Sequence, residues 1–488
     1  MQFRFRMLPV LLTLFIMAGS VTAQTSQALY YMNLQQRNTL NPALRTPGRV
    51  FIGLPGISDI SVRVDNNFMG FTDLFNNGVI SDSTFAFLEP GEDLDSFLAG
   101  LGTNNSIEPQ AGVQLFGLAF TVGDDLKITL DISEHVDANF VLPGDLIRLG
   151  FDGNEVYMGQ EIDLSSLRAD MKYYHEIGMG ASKNVTEKLR VGARVLILSG
   201  VASAYLTNNG MTLAVNDDNT HTLDADISLN VSAPVTFLRD AYEGVIDHVR
   251  IDEGRFENSR QWVAYASSMA NPGLGLEAGA EYTFNDMFSV SAAITDMGFI
   301  KWKRDRSEIY ITKTFLFNGL TMQDVYDESL TFDELLNWTA DSIQNSIELA
   351  ESPGTYTTYL PLCFTAGFSF TPVKYFTAGF LSQTRFEGEQ VHEALTLSGN
   401  FNVGSVFSTT LAYTIANRRY DNLGFGLAVR GGFFQFYALV DNMPLNWTRV
   451  TSGGNSYSLP VNMNMIHARL GVNFIFGYRE NEKILPAM

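Results

Sequence analysis

Apolar and polar residues alternate along positions 167–206 with the period of two that is typical of a β-strand. From Leu167 to Ala181 the odd positions are mostly apolar, and the even positions carry charged, polar or glycine residues. After a turn at 184–187 the same alternation returns. Each arm sustains the pattern for about 16 residues, whereas a tilted strand needs roughly 9–11 to cross a bilayer. The stretch therefore predicts a membrane-spanning hairpin with one apolar and one charged face.

The two arms of this hairpin also predict a register, because paired residues must share a face of the sheet. A tight turn places Ser182 opposite Lys188, and that register sets Glu176 across from Arg194. We predict an ion pair between these last two side chains on the inner face.

Comparable alternating segments recur as far as residue 478, with short turns after residues 122, 183, 284, 371, 402 and 430. The connections between successive hairpins are mostly longer, an asymmetry that is typical of outer-membrane barrels. The predicted fold class is therefore all-β, a transmembrane antiparallel β-barrel of roughly 14–16 strands. The weakly alternating pair of segments at 209–231 decides between 14 and 16 strands. In the long connection 301–356, a capping box at 331–334 and apolar residues at helical spacing predict a small helix, which either packs over the barrel mouth or binds a partner.

The first 23 residues have the three parts of a secretory signal peptide. Arg4 and Arg6 precede a short apolar run, and Ala23 ends a small-residue cleavage site. This segment predicts export, and with the barrel it predicts location in the cell outer membrane.

The mature chain divides into an N-terminal segment (24–47), the barrel (48–478) and a short tail (479–488). The first of these lacks the alternation of a spanning strand, so we expect it inside or below the barrel. A first strand is expected at 49–65, broken by Pro55 and Gly56, and a polar, acidic loop follows over 66–109.

The composition narrows the class of protein further. A formal net charge of −21 argues against nucleic acid as a partner, and the single cysteine, Cys363, excludes an internal disulfide framework. Beyond the signal peptide no apolar run is long enough for a membrane-spanning helix. The 36 Phe and 42 Gly favour one large barrel over several soluble domains, because glycine permits close backbone approach in curved sheets.

Candidate catalytic chemistry is sparse. The sequence contains neither a Gly-x-Ser-x-Gly nor a His-Glu-x-x-His motif, and its six His are scattered. We therefore predict no enzyme, no catalytic residue, no metal and no cofactor, although a hydrolase triad on the outer rim is not tested by spacing. Residues 216–219 (Asn-Asp-Asp-Asn) form either a cation site or, more commonly for such clusters, an Asx-rich turn.

The inward positions of the predicted strands carry charges of both signs, which indicates a hydrated lumen rather than an apolar tunnel. Structural ion pairing and pore selectivity explain such a set equally well, because rings of charge serve both purposes. The predicted lumen-facing residues are Asp170, Lys172, Glu176, Arg190, Arg194, Glu277, Glu281, Arg385, Arg430, His467 and Arg469.

A basic cluster closes one strand at the predicted outer rim, and it consists of Lys301, Trp302, Lys303 and Arg304. It is either a clamp for lipopolysaccharide phosphates, with Trp302 in the aromatic girdle, or an ordinary solvated rim. Outer-membrane lipid and lipopolysaccharide are thus the expected partners.

Segments 174–182, 188–194 and 294–300 resemble an uncharacterised outer-membrane barrel family known as a domain of unknown function. With its signal peptide, residues 40–43 and Phe/Gly-rich strands, the chain is also similar to the long-chain fatty-acid transporter type and to secretion-associated barrels. In the transporter type an N-terminal segment enters the lumen as a plug near an Asn-Pro-Ala motif. The resemblance therefore implies a plug over 24–43, with Asn41, Pro42 and Ala43 as its motif.

Two functions follow as hypotheses. The first is passive transport of a small hydrophobic or amphipathic molecule. The second is a non-conducting barrel that anchors or escorts an exported or secreted protein. A gap beside the plug would favour transport, and a sealed lumen with an exposed apolar patch on loop 301–356 would favour the scaffold. The transporters' ligand-binding residues have no match here, so fatty-acid specificity is not implied.

Overall fold

The alternation in the sequence becomes a closed wall of 14 antiparallel strands, which confirms the predicted fold class. The computed structural model describes residues 27–68, 94–218, 220–239, 246–251, 258–318, 348–349, 354–388, 390–404, 406–416, 419–443, 447–452, 455–460 and 465–477. Within these ranges no helix has the length and apolar character needed to cross a membrane.

The described strands are, in chain order, β1 (Val50–Gly53), β2 (Ile60–Asn66), β3 (Asn104–Val122), β4 (Leu126–Pro143), β5 (Gln160–Asp163), β6 (Arg168–Asn184), β7 (Leu189–Val215), β8 (Thr220–Ser232), β9 (Val235–Arg239), β10 (Ile246–Ile251), β11 (Asn271–Thr283), β12 (Phe288–Trp302), β13 (Arg306–Asn318), β14 (Glu348–Leu349), β15 (Tyr356–Tyr359), β16 (Leu362–Val373), β17 (Phe376–Glu387), β18 (Gln390–Val403), β19 (Phe407–Ala416), β20 (Arg419–Gly431), β21 (Phe434–Met443), β22 (Trp447–Ser452), β23 (Asn455–Pro460) and β24 (Met465–Phe476). The described helices are α1 (Leu94–Gly100), α2 (Gly144–Asp152) and α3 (Ser259–Ala266), with 3₁₀ turns at Gln35–Thr39 and Asn154–Val156.

The wall runs from β1 with β2 through β3, β4, β6, β7, β11, β12, β15 with β16, and β17 to β21, and β24 closes it against β1 and β2. Turns of two to four residues join the strands at one end, here called the short-turn end. The opposite, long-connection end carries most of the longer connections. In outer-membrane barrels the short turns face the periplasm.

Residues 209–231 do not enter the wall. Beyond its pairing with β11, β7 continues past the barrel and pairs with β5 and β8, and β8 in turn pairs with β13. This projecting sheet has its own apolar cluster, which consists of Tyr157, Ile162, Leu164, Leu213, Val215, Leu223 and Ala225. Because these strands pair above the wall, the barrel has 14 strands and not 16.

The first strand is interrupted as predicted. Both β1 and β2 pair with β24 and β3, and the residues between them leave the ladder at Pro55 and Gly56. Gly56 has a φ of 69°, a conformation that favours glycine. The break turns Ser58 and Asp59 toward the interior, where their contacts are described below.

The predicted register of the β6–β7 hairpin is wrong. Over residues 174–184, each residue of β6 pairs with a residue of β7 that lies four positions later in the chain than predicted. Ser182 pairs with Gly192, and Glu176 pairs with Leu198. The turn is longer than expected, because the Thr186 side-chain oxygen accepts the backbone N–H of Leu189 at 3.0 Å and holds an open loop. The inner and outer faces are unchanged, since the shift is even.

The outward face of the wall is an apolar belt. Its exposed side chains include Phe120, Met179, Leu276, Phe368, Phe380, Leu397, Phe425, Phe436 and Leu470. An outward apolar band around a polar interior is the pattern of outer-membrane barrels.

Several sequence predictions fall on other parts of the chain. The signal peptide (1–23), the helix in 331–347 and the tail (479–488) lie outside the described residues. The predicted loop 66–109 is wrong in part, because α1 occupies Leu94–Gly100 and β3 begins at Asn104. The start of β3 pairs with the end of β4 beyond the apolar belt, where an alternating apolar face is not required.

Candidate functional site in the barrel interior

Residues 27–44, here called the inner segment, fill the barrel toward the short-turn end. Their apolar side chains form the largest described apolar cluster of the interior with four wall residues. The cluster comprises Leu29, Tyr30, Tyr31, Met32, Leu34, Leu40 and Leu44 with Leu381, Ala428, Tyr437 and Leu439. The apolar core toward the short-turn end therefore comes mostly from a segment that belongs to no strand, whereas a second interior cluster, around Trp302, is formed by wall residues.

Two wall glycines make room for the predicted Asn-Pro-Ala motif. Gly192 on β7 pairs with Gly279 on β11. A Cβ atom on Gly279 would overlap the side-chain oxygen of Asn41, and one on Gly192 would overlap the backbone carbonyl of Pro42. Asn41 Oδ1 also accepts the N–H of Ala43 at 2.9 Å. The motif is therefore buried against a part of the wall where only glycine leaves enough space.

Polar contacts hold the inner segment to strands on different sides of the barrel. The hydroxyl of Tyr31 lies 2.8 Å from the carbonyl oxygens of both Phe368 and Phe380. Gln36 donates to the side-chain oxygen of Asn473 at 2.8 Å. Because these partners lie on β16, β17 and β24, the segment is fixed across the interior and not along one wall.

Arg194 lies at the centre of a buried carboxylate cluster. Its guanidinium contacts Glu277 Oε2 at 2.5 Å, Asp131 Oδ2 at 2.8 Å and Glu176 Oε1 at 3.5 Å. The predicted contact between Glu176 and Arg194 is thus confirmed, although the two residues are not directly opposite each other. Arg194 is only 1% exposed, so the cluster is shielded from solvent and its charges depend on one another.

A second ion pair closes the interior beside the strand break. Arg469 on β24 forms an ion pair with Asp59, with its Nε donating to Oδ1 at 2.7 Å. The Tyr437 hydroxyl lies 2.8 Å from the same carboxylate oxygen. The break between β1 and β2 thereby contributes a carboxylate that bridges β21 and β24.

The other predicted lumen-facing residues on β6 and β7 have separate partners. Asp170 accepts from Arg168 Nε at 2.6 Å, and Lys172 Nζ lies 4.0 Å from Asp137 Oδ2. Arg190 donates to Ser182 Oγ at 2.7 Å. These side chains occupy the long-connection end, except Arg190, which lies near the short turn.

The remaining four predicted positions are spread around the barrel. Arg385 forms an ion pair with Glu387 on its own strand, and His467 Nδ1 lies 3.6 Å from Asp441 Oδ2. Glu281 on β11 interacts electrostatically with Arg37 of the inner segment. Arg430 lies at the mouth of the short-turn end and donates to Gly432 O at 2.6 Å.

Two cavities lie in the interior among the residues that the structure describes. The larger, about 210 Å³, lies between the inner segment and the charged wall. Its charged lining consists of Asp59, Asp131, Asp137, Glu176, Glu277, Asp296, Arg63, Arg194, Arg385 and Arg469. The smaller, about 90 Å³, lies toward the long-connection end and is lined by residues that include Arg168, Lys172 and Glu387. Asp137 lines both cavities.

The predicted basic rim cluster is divided between two environments. Trp302 has no exposed surface and donates through Nε1 to Thr358 Oγ1 at 2.9 Å. Its predicted place in the aromatic girdle is therefore wrong, because the alternation along β12 turns Ile300 and Trp302 inward. Lys301 and Lys303 are exposed on the opposite face.

Arg304 anchors helix α3 to the rim. Its guanidinium carbon lies 3.5 Å from the ring centre of Tyr265, and Nη1 donates to the Tyr265 carbonyl at 3.2 Å. Burial, together with the neighbouring Asp305 carboxylate, raises the pKa of Tyr265 to about 12. The phenol thus remains protonated at neutral pH, and Arg304 is already engaged inside the protein.

Sequence reasoning missed four of the carboxylates that line the larger cavity, namely Asp59, Asp131, Asp137 and Asp296. Asp137 lies on the same face of β4 as Asp131. Asp131 lies between the outward residues Leu130 and Ile132, so the same alternation contained the signal for it. Asp59 follows a strand break and has no alternating context. Asp296 has a φ of 58° at an irregularity of β12, which period-two patterns do not predict.

Among the residues that the structure describes, no group of three or more His, Cys, Asp or Glu side chains could hold a metal ion. Within the polar cluster at 216–219, whose last residue lies outside the described residues, Asp218 Oδ1 accepts the N–H of Thr220 at 3.1 Å, as in an Asx turn.

Comparison with known proteins adds a family and several structural similarities. Residues 42–441 match the model described as "Family of unknown function (DUF5723)". Among solved structures, the chain is similar to the Pseudomonas putida toluene transporter TodX (10% identity, TM-score 0.43, covering 94% of this chain and 99% of that one). It is also similar to a Pseudomonas aeruginosa FadL homologue (12%, TM-score 0.41, 93% and 98%) and to the translocator domain of the Neisseria meningitidis autotransporter NalP (6%, TM-score 0.30, 88% and 90%). No curated protein matches the sequence.

Proposed function

The chain belongs to the DUF5723 family of unknown function, and we propose that it is an outer-membrane barrel for passive transport of a small amphipathic molecule. The observation that carries this proposal is the shared wall of the two cavities at Asp137. In this proposal the two cavities are parts of one polar route that leads from the long-connection end down to the inner segment. A purely hydrophobic permeant fits this route poorly, because it would desolvate charged groups without pairing them.

The inner segment acts as the plug of this route. Support comes from its complete burial at Leu29, Met32 and Asn41, each with no exposed surface, and from its fit against Gly192 and Gly279. With the segment seated, the larger cavity is bounded by residues 35, 36 and 38–40 of the plug. Transport therefore requires the plug to move, and the resting barrel is closed.

The lumen-facing charges have two roles in this proposal. The Arg194 cluster braces four neighbouring strands, since its partners come from β4, β6 and β11. Asp137, which lines both cavities, lies 4.0 Å from Lys172 of the smaller one, and in this proposal the pair forms the constriction between them. Charged residues at a constriction select among permeants by charge.

The apolar belt and the asymmetric connections support insertion in the outer membrane with the short-turn end in the periplasm. Outer-membrane lipid is then the partner of the belt. The plug would enter from the periplasmic side, where its last residues meet the short turns, as in the contact of Arg45 with Asn184 at 3.3 Å.

Planar-bilayer conductance of the refolded protein tests the transport proposal. We expect the intact protein to be closed or rarely open, and a variant lacking residues 24–46 to show discrete, frequent current steps. The control for both proteins is their migration on detergent gels without heating, which shows whether the barrel is folded. If both are folded and both are silent, the transport proposal is wrong.

The projecting sheet of β5, β7, β8 and β13 favours a second function, a non-conducting barrel that anchors or escorts an exported protein. Its separate apolar cluster stabilises a surface that stands clear of the wall. Silence in both conductance measurements would favour this scaffold. The loop 301–356, which carried the same hypothesis in the sequence, lies mostly outside the described residues.

A further inference from the structure

The outer wall near the long-connection end carries a helix that the transport route does not use. Helix α3 lies outside the barrel and is attached to it by a few specific contacts. The Ala266 carbonyl is 2.6 Å from Nε2 of His175, whose side chain projects from the outer face of β6. Ser199, on the outer face of β7, donates to the Ser268 carbonyl at 2.9 Å. These contacts, with the Arg304–Tyr265 stack, fix the helix against the wall at the upper edge of the apolar belt.

The exposed residues of this helix are apolar at positions 262–264 and polar at positions 260 and 261. In this helix of eight residues, Trp262 is 44% exposed and Val263 is 65% exposed. Met269, just after the helix, is also exposed. The chain then enters β11, whose first large outward side chain is Leu274, part of the apolar belt. The exposed apolar surface of α3 is therefore continuous with the surface that faces the acyl chains.

Cationic side chains follow the apolar belt at the end of β12, the strand that pairs with β11. On the outer face of β12, Phe299 belongs to the apolar belt, and alternation places Lys301 next along the same face. Lys303 follows just beyond the end of the strand, and its backbone N–H donates to Asn271 at the start of β11. Both lysines are exposed. The outer face thus changes from apolar to cationic between Phe299 and Lys303, over a rise of roughly 13 Å along the strand direction.

We infer that α3 and the outer face of β12 together form a docking surface for a phosphorylated lipid of the outer leaflet. Trp262, Val263 and Met269 contact the upper acyl region, and Lys301 and Lys303 bind the phosphates. Amphipathic tryptophans and cationic side chains are the groups that hold proteins at the headgroup level. The rim cluster thus uses Trp262 as its aromatic anchor, since Trp302 is buried and Arg304 is occupied. This inference does not depend on whether the barrel transports a solute.

The position of Trp262 is tested by quenching tryptophan emission in proteoliposomes that contain lipids brominated near the headgroup. We expect Trp262→Phe to lose part of the quenchable emission and Trp302→Phe to lose none, because Trp302 is shielded inside the barrel. Equal quenchable emission in wild type and Trp262→Phe would overturn the placement. Unheated gel migration shows whether each variant is folded.

The phosphate contacts are tested with fluorescent diphosphoryl lipid A added to the full chain in zwitterionic micelles. The double variant Lys301→Gln with Lys303→Gln is expected to weaken binding by roughly fivefold per lysine. A lysine near an anionic headgroup contributes a binding free energy that corresponds to about this factor. The matched control is Lys183→Gln with Lys188→Gln, which removes the same charge from exposed lysines at the short-turn end and should leave the affinity unchanged.

Inorganic phosphate distinguishes the lipid from a free anion. We expect millimolar phosphate to compete little with lipid A, because the apolar contacts of α3 contribute to binding. Full competition by phosphate, or equal loss of affinity in the control pair, would overturn the proposal of a lipid-specific surface.

Discussion

Replacing Arg194 with glutamine is expected to lower the free energy of unfolding of the barrel by about 3–5 kcal/mol. The guanidinium lies within 3.5 Å of Glu176 and closer still to Asp131 and Glu277. Removing its charge leaves three carboxylates close together in a shielded interior, where their mutual repulsion and desolvation are no longer compensated. Urea unfolding in lipid vesicles, followed by tryptophan fluorescence, measures the change.

Arg190→Gln is the matched control for this prediction. It removes the same charge from the same face of β7, but the described hydrogen bonds of Arg190 are with Ser182, Asn184 and the Asp125 carbonyl. We expect it to destabilise the barrel by about 1 kcal/mol, as for loss of ordinary hydrogen bonds. Comparable losses in the two variants would show that the carboxylate cluster does not depend on Arg194.

Replacing Gly279 with valine is expected to unseat the inner segment and open the barrel. Its side chain would occupy the space of the Asn41 side chain, and overpacking of a tight interior costs about 1–3 kcal/mol. If the cost falls on the seated state, the open fraction rises by roughly 5- to 150-fold. Single-channel recording of the full chain measures this fraction directly.

Ala280→Val controls for the change in strand composition. Ala280 follows Gly279 on β11 and points to the opposite, outward face, so the same valine there meets lipid and not the inner segment. We expect the Ala280→Val barrel to be as closed as the wild type. Frequent opening in both variants would mean that the wall itself was disturbed, and a closed, folded Gly279→Val barrel would contradict the seating role of the glycines.

The short turn of the β6–β7 hairpin shows where local pattern stops being informative. Alternation predicted which residues of the two arms face inward, and these faces are as expected. The register depended on the Thr186 side chain, which accepts a backbone N–H and lengthens the turn. Glu176 and Arg194 still meet because both are long side chains on the same face and span the offset of four residues along the strand.

The partners of Arg194 show a second limit. Asp131 and Glu277 lie on strands far away in the sequence, and their approach follows from which strands become neighbours when the wall closes. The same closure buries Trp302 against Thr358, although the aromatic and basic residues around it resemble a girdle in the sequence.

The sequence by itself determined that each strand has one apolar and one polar face and that the strands follow one another as hairpins. It also determined that one end has short turns and that the N-terminal segment is not part of the wall. The physical reason is that side-chain alternation is a property of the local backbone and needs only a few residues to be visible. Only the tertiary structure decided the strand number, the register, the seat of Asn41 and Pro42 on paired glycines, and the two cavities that Asp137 lines. Those features depend on contacts between distant strands, which exist only once the barrel has closed.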